Sequence, residues 1–383
     1  MCAIEALERL ARCERPRVVV GDGALSQLGA LCSELGVGRA LLVSDRGLVD
    51  AGHTQRAEKV LASAGIEATL FSSVSPNPSE SNVQACALAA GEAGVDFLVG
   101  LGGGSAMDTA KGATFLLAGG GQMEDYWGRG KGRGEFMPLV MVPTTAGTGS
   151  EMQSFALITR ERDGRKMACG DERAIARIVI LDPELTASVP PEVAAHAGLD
   201  CLTHAVETAV TSCANPQSLQ LSHLAFQLVC SSFSEALKTG ALDARRNMLV
   251  AASLAGLAIE GSMLGAAHAL ANPLTARVGL DHGRAVATML PHVVRFNAQD
   301  PGAAAGYEEL CRATAIEGGS EGLAIRIEAW LDEAGVPRGL GAAGIADTDL
   351  GTLAEAASQE WTGGFNPRPV DASSLQGILQ SAL

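Results

Sequence analysis

The sequence predicts an α/β domain built on a mainly parallel sheet, residues 1–186, joined to a helical domain, residues 187–383. Three observations carry this. Short β-branched or apolar runs alternate with helix-period segments through the first half, the pattern of parallel strands linked by crossover helices. After Pro190-Pro191 the strands give way to Ala- and Leu-rich helical patterns, as in 218–237 and 247–261. At 383 residues with 47% hydrophobic content, the chain is long for one domain and apolar enough to build two cores.

The expected elements follow in order. Arg17 to Val20 is a β-branched run closed by Gly21, and an apolar-periodic helix is expected from Ala24 to Leu35. Arg39 to Val43 reads as a buried strand with Asp45 at its carboxyl end. A helix over 56–64, a strand over 67–71 and a helix over 81–93 come next. Between the last two lies Ser75-Pro76-Asn77-Pro78, a stiff turn whose prolines forbid regular structure. Strands are expected at 96–99, 138–142 and 177–181, the last ending in Asp182-Pro183.

Charge narrows the partners. With 43 acidic against 28 basic residues the net charge is -15, which argues against nucleic acid or an anionic membrane and leaves a small molecule. The first residues lack the basic-then-apolar layout of a secretion signal and no long uncharged apolar run occurs, so a cytoplasmic location is expected. Nine cysteines without a CxxC pair read as reduced thiols.

Two turns have the composition of a phosphate cradle. The strand at 96–99 runs into Gly100-Leu-Gly102-Gly103-Gly104-Ser105-Ala-Met-Asp108. Glycines let the backbone approach a pyrophosphate, and the following helix offers free N–H groups and the positive end of its dipole. This is not the common GxGxxG fingerprint, and a plain strand-to-helix turn has the same look. Further on, Pro143 leads into Thr144-Thr145-Ala-Gly-Thr148-Gly-Ser150-Glu151, whose hydroxyls and N–H groups suit phosphates or a nicotinamide amide, or else a helix N-cap. Asp45 is placed to accept hydrogen bonds from an adenosine ribose and to repel a 2'-phosphate, which favours NAD over NADP; Arg46 beside it pulls the other way, and an Asp in a polar turn is the plainer reading.

The second half carries a set of metal-type donors. Asp200 and His204 lie one helical turn apart in Gly198-Leu-Asp200-Cys-Leu-Thr-His204-Ala-Val-Glu207, and His268 and His282 follow in separate segments. Three imidazoles and a carboxylate suit a catalytic divalent ion, Fe(II) or Zn(II), that keeps room for a further ligand. Taken singly, each His also reads as a packed or surface residue. Such an ion can acidify an alcohol, or polarise a carbonyl while hydride is transferred.

The turn Pro76-Asn-Pro78, the run Gly102 to Asp108, the turn Pro143 to Glu151, the helix Asp200 to Glu207 and the segment His268 to His282 together resemble the iron-containing (group III) alcohol dehydrogenase family. The resemblance spans nearly the whole chain. It implies an N-terminal dinucleotide-binding α/β domain, an all-α C-terminal domain, a metal in the cleft between them, and a homodimer. It implies that Asp200, His204, His268 and His282 are the metal ligands, and that Lys166 contacts the cofactor. Where the family commonly has a second His near the nicotinamide, this chain has Asn272. The implied activity is interconversion of a small alcohol and its aldehyde or ketone with NAD.

The remaining candidates are plainer. Glu207 lies on the face of Asp200, where a hydrogen bond to a ligand is favoured over ligation. His292 is expected to satisfy a backbone group, while His53, His196 and His223 read as packing or surface residues, and Tyr126-Trp127 as core. Two other functions compete: a lyase resembling dehydroquinate synthase, which uses bound NAD transiently, and a non-catalytic binding protein. The first would need a basic cluster for a phosphorylated substrate, and the second sits poorly with an intact ligand set.

Overall fold

A computed structural model of the chain describes residues 2–13 and 15–383. Contacts divide it into two compact units, Leu7–Val189 and Pro190–Leu383, the second also taking in the start of the first helix. The change of unit thus falls between Val189 and Pro190, where the sequence reading placed it after Thr186. The helices are α1 (Cys2–Ala11), α2 (Leu28–Glu34), α3 (Arg46–Asp50), α4 (His53–Ser63), α5 (Glu80–Ala93) and α6 (Gly104–Gly119) before Val189. After it come α7 (Pro191–Thr208), α8 (Pro216–Thr239), α9 (Leu242–Ser262), α10 (Ala266–Pro273), α11 (His282–Asn297), α12 (Pro301–Thr314), α13 (Gly319–Glu333), α14 (Leu350–Ser358) and α15 (Ala372–Ser381). None of the described helices is by itself long and apolar enough to cross a membrane.

The N-terminal unit is organised by strands β1 (Arg17–Val20), β2 (Arg39–Val43), β3 (Glu67–Phe71), β4 (Phe97–Gly102), β5 (Gly128–Arg129), β6 (Leu139–Pro143), β7 (Phe155–Thr159), β8 (Lys166–Gly170) and β9 (Ile178–Leu181). Six form one parallel sheet in the order β1-β9-β6-β4-β2-β3. Its central strands are apolar without alternation because helices cover both faces, as parallel sheets require. Leu42, Val99, Val140 and Ile180 are wholly buried in one cluster with Leu28 and Leu61 from the helices, each contributing about 1.5–3 kcal/mol by leaving water.

Asp96, expected to begin β4, instead stays outside the strand and accepts hydrogen bonds from the Gly38 and Arg39 amides at 3.0 Å, pinning the start of β2 beside β4. The three-stranded sheet β5-β8-β7 was not expected. Its strands are short, and β8 (Lys-Met-Ala-Cys-Gly) has no β-branched residue to announce it.

The C-terminal unit is all helical. Helix α7 starts with Pro191, whose missing N–H is no loss in a first turn. From Gly198 to Thr208 it is buried on every side, so polar groups there must find partners inside the protein. A methyl at Gly198 would meet Phe233 at 2.6 Å, which shows how closely α8 lies against it. Every cysteine among the described residues whose thiol is characterised is free.

Candidate functional site

The sheet order positions the first candidate site. The chain goes from β2 outward to β3, returns to β4 on the other side of β2, and then proceeds to β6. That reversal makes the carboxyl ends of β2 and β4 a topological switch point, the place where open α/β sheets bind ligands. Asp45 follows β2 and Gly102-Gly103-Gly104-Ser105 follows β4.

Side chains at the turn are small because neighbours come close. A Cβ on Gly102 (φ +155°) would lie 2.7 Å from the Ala106 Cβ and 3.7 Å from Asp45 Oδ2. One on Gly103 would meet Thr145 Oγ1 at 3.3 Å, and one on Gly104 would meet the Thr148 Cγ2 at 2.8 Å. Thr144 joins them through its amide, which donates to the Gly102 carbonyl at 3.0 Å. The Asn77 amide of the proline turn donates to Ser105 Oγ at 3.3 Å. The structure thus brings Asp45, Gly102, Gly103, Gly104, Ser105, Thr144, Thr145 and Thr148 to one end of the sheet. Thr148 also accepts from the Ser150 amide at 3.2 Å, capping a single 3₁₀ turn and not the α-helix that the sequence allowed.

Asp45 serves as an N-cap as well: its Oδ1 accepts from the Leu48 amide of α3 at 3.1 Å. Asp108 departs from expectation. It is buried in α6 and held by protein partners, accepting from Ser150 Oγ at 2.6 Å with the Lys111 ammonium 3.6 Å away. Burial pushes its carboxyl up, against the pull of Lys111 and Ser150. Its part is to hold the turn and not to touch a cofactor. Lys166 begins β8 opposite Thr159, half-buried, with its charge acting on Asp108.

The second candidate site lies in the helical unit. Asp200 and His204 are one turn apart on α7, His268 is in the first turn of α10, and His282 opens α11. Asp200 Oδ1 is 3.4 Å from His204 Nε2, 3.6 Å from His268 Nε2 and 4.0 Å from His282 Nε2. The first three residues are each 4% exposed, with donor atoms all within 4.8 Å of one another. The His204 and His268 rings stack at 4.8 Å.

This arrangement fits a metal. Donors about 2.1 Å from one tetrahedral ion are about 3.4 Å apart, close to the spacings observed. Asp200 Oδ1 and His268 Nε2 are buried without a hydrogen bond, a cost of about 1–3 kcal/mol each unless something else binds there. Burial disfavours the Asp200 carboxylate, but the surrounding imidazoles outweigh it and hold the group well below the usual range. Burial likewise opposes charge on His268, yet Glu207 and Asp200 lift it to about 9. Surroundings that raise proton affinity at a lone pair favour any cation there.

Neighbours hold these side chains in place. Glu207 accepts from His268 Nδ1 at 2.5 Å and from the Ala267 amide at 2.7 Å. His196, one turn before Asp200, pairs with Asp281 at 3.0 Å, so the residue preceding His282 is tied back to α7. A methyl on Gly283 would lie 2.1 Å from the His196 carbonyl, so α11 starts directly on the α7 backbone. Asn272, one turn beyond His268, donates to Glu360 at 2.7 Å. Asn366 and the His196–Asp281 pair were missed from the sequence, where a buried amide and a distant His–Asp contact leave no periodic signal. His292 pairs with the Ser381 hydroxyl at 2.9 Å and not with the backbone. His53 is buried and bonds Ser188 at 2.7 Å. Tyr126 packs on Phe115 in the core, whereas Trp127 lies under Arg160 and Arg165.

Comparison with known proteins agrees with both halves. The family model described as iron-containing alcohol dehydrogenase matches residues 15–183, and that described as Fe-containing alcohol dehydrogenase family, C-terminal, matches residues 194–383. Alcohol dehydrogenase 4 of Schizosaccharomyces pombe is 33% identical over 95% of this chain and 86% of its own. The NAD-dependent methanol dehydrogenase of Bacillus methanolicus is 30% identical over 96% and 98%. A crystal structure of 1,3-propanediol oxidoreductase superposes with a TM-score of 0.91 at 31% identity, covering 96% of this chain and 97% of that one. Fold and relatives define an alcohol dehydrogenase, an oxidoreductase that interconverts an alcohol and its aldehyde or ketone. The chain belongs to the iron-containing alcohol dehydrogenase family, and none of these relatives favours the lyase reading.

Proposed function

We propose that the chain oxidises a small alcohol, or reduces the matching carbonyl compound, using NAD and one divalent metal, iron or zinc. Asp200, His204, His268 and His282 would hold the metal. The observation that carries this is Asp200 Oδ1, buried without a hydrogen bond among three imidazole Nε2 atoms. When bound, such an ion acts as a Lewis acid on the alcohol or carbonyl oxygen, and NAD takes or gives the hydride.

The protein's own groups do the rest. Glu207 keeps a proton on His268 Nδ1, which leaves the Nε2 lone pair outward. Asp200 supplies the negative charge that offsets a dication. Asn272 holds Glu360 by a hydrogen bond, so a neutral amide stands one turn from His268 where the family commonly carries a titratable ring. In the N-terminal unit, the turn 102–105 with Thr144, Thr145 and Thr148 would receive the pyrophosphate, Lys166 would add a positive charge, and Asp45 would face the ribose. The edge strand β1 leaves one side of its backbone available to a second copy; a homodimer through that edge belongs to this reading, and a single monomeric species in light scattering would remove it.

The test follows NADH absorbance over a panel of alcohols and aldehydes, with metal analysis of the same preparation. Stripping the metal with a chelator should abolish turnover, and Fe(II) or Zn(II) should restore it. Turnover that survives complete metal removal would end the proposal, and bound metal with no net change in NAD would point back to a lyase.

Asp45→Ser separates the two uses of that side chain. Serine still caps α3, so stability should change by only a few tenths of a kcal/mol. Loss of the carboxylate should raise the NADP to NAD ratio of kcat/KM about 10-fold or more, the effect of removing one close like-charge repulsion of about 1–2 kcal/mol. An unchanged ratio would remove Asp45 from the ribose site.

A further inference from the structure

Helix α10 carries His268 in its first turn, yet it begins without a cap of its own. Its N-cap residue is Gly265, which has no side chain to receive the free amides. The Ala266 amide donates instead to Asn366 Oδ1 at 3.1 Å, and the Ala267 amide to Glu207 Oε1 at 2.7 Å. These two side chains come from α7 and from the segment after α14, far apart in sequence. Gly265 lets both approach: a Cβ there would lie 2.9 Å from Asn366 Oδ1 and 3.0 Å from Glu207 Oε1.

Each acceptor is itself fixed. Glu207 is 3% exposed, and its second oxygen accepts from His268 Nδ1 at 2.5 Å. Asn366 donates to Asn297 Oδ1 and to the Arg368 carbonyl at 2.7 Å, and accepts from Asn297 Nδ2 at 3.1 Å. Arg368 in turn lies 3.9 Å from the Phe296 ring centroid and donates to the Phe296 carbonyl.

We propose that Glu207 and Asn366 form a two-residue clamp that positions His268 as a ligand, an inference resting on the metal reading above. Asn366 and Glu207 fix the first turn of α10, and Glu207 alone selects the His268 tautomer. A carboxylate can only accept, so Nδ1 carries the hydrogen and Nε2 presents its lone pair toward Asp200. Glu207→Gln keeps size and shape. Its amide oxygen still serves the Ala267 amide, but its NH₂ then faces His268 Nδ1 and favours the opposite tautomer, with hydrogen on Nε2.

The experiment loads the full chain with Co(II) and follows loss of its visible spectrum in excess chelator. Glu207→Gln is expected to release cobalt about 10- to 100-fold faster than the unaltered chain, with NADH affinity unchanged. Asn366→Ala and Gly265→Ala, which disturb the same turn without touching the tautomer, should each release it several-fold faster; they also serve if Glu207→Gln does not fold. Equal release rates from the unaltered chain and the folded variants would overturn the clamp while leaving the metal site standing. An unaltered chain that binds no stoichiometric cobalt would overturn the metal reading and the clamp with it.

Discussion

His268→Ala is expected to cut metal-dependent turnover at least about a thousandfold and to leave NADH binding intact. The imidazole is one of the three buried donors and stacks on His204 at 4.8 Å, so its loss opens the set at its centre. Lewis-acid stabilisation is worth several kcal/mol, and about 1.4 kcal/mol is tenfold in rate. The substitution also strands Glu207 Oε2 without the ring that donates to it. Metal content by elemental analysis should fall with activity, while NADH fluorescence titration should show an unaltered dissociation constant, because the proposed nucleotide residues all precede Val189. Full activity in the variant would remove His268 from the ligand set.

The second large effect concerns stability. Lys111 is wholly buried in α6, donating to Ser150 Oγ at 2.7 Å and to the Phe155 carbonyl at 2.6 Å, with Asp108 3.6 Å away. Lys111→Met is expected to cost about 3–5 kcal/mol at neutral pH, since it leaves a buried carboxylate without its cation. Adding Asp108→Asn should recover part of that loss, and the size of the non-additivity measures the coupling.

The pH dependence follows from the raised Asp108 carboxyl. Without Lys111 it rises further, so the native chain keeps a proton that the unfolded chain releases. Stability of Lys111→Met should therefore fall as pH climbs through the carboxylate range and above, and the gap to the unaltered chain should narrow in acid. Urea unfolding at several pH values checks this. A loss under about 1 kcal/mol at neutral pH would show that the lysine is dispensable to the core.

Much of the fold was legible because parallel strands buried on both faces are written as unbroken apolar runs, as in Arg39–Val43 and Ile178–Leu181. The small second sheet was not, since β5 is a two-residue pairing and β8 is built of residues without strand preference. Asp200 and His204 stood out because helical spacing puts them side by side, and Glu207 because it shares their face. Asp108 misled, as it sits next to a glycine turn whose backbone faces outward while its own side chain is committed to Ser150. Asn366 gave no signal, because its partners are two backbone stretches and another amide, none of them near it in sequence.

The pairing of the first strand with the last has a consequence for biosynthesis. Residues 17–20 find their only ladder partner at 178–181, so a growing chain holds its opening strand unsatisfied until the final strand of that unit leaves the ribosome. Everything between must stay soluble while the seam is open, and the unit closes late, in a single long-range step of the kind that slows folding and exposes edges to aggregation.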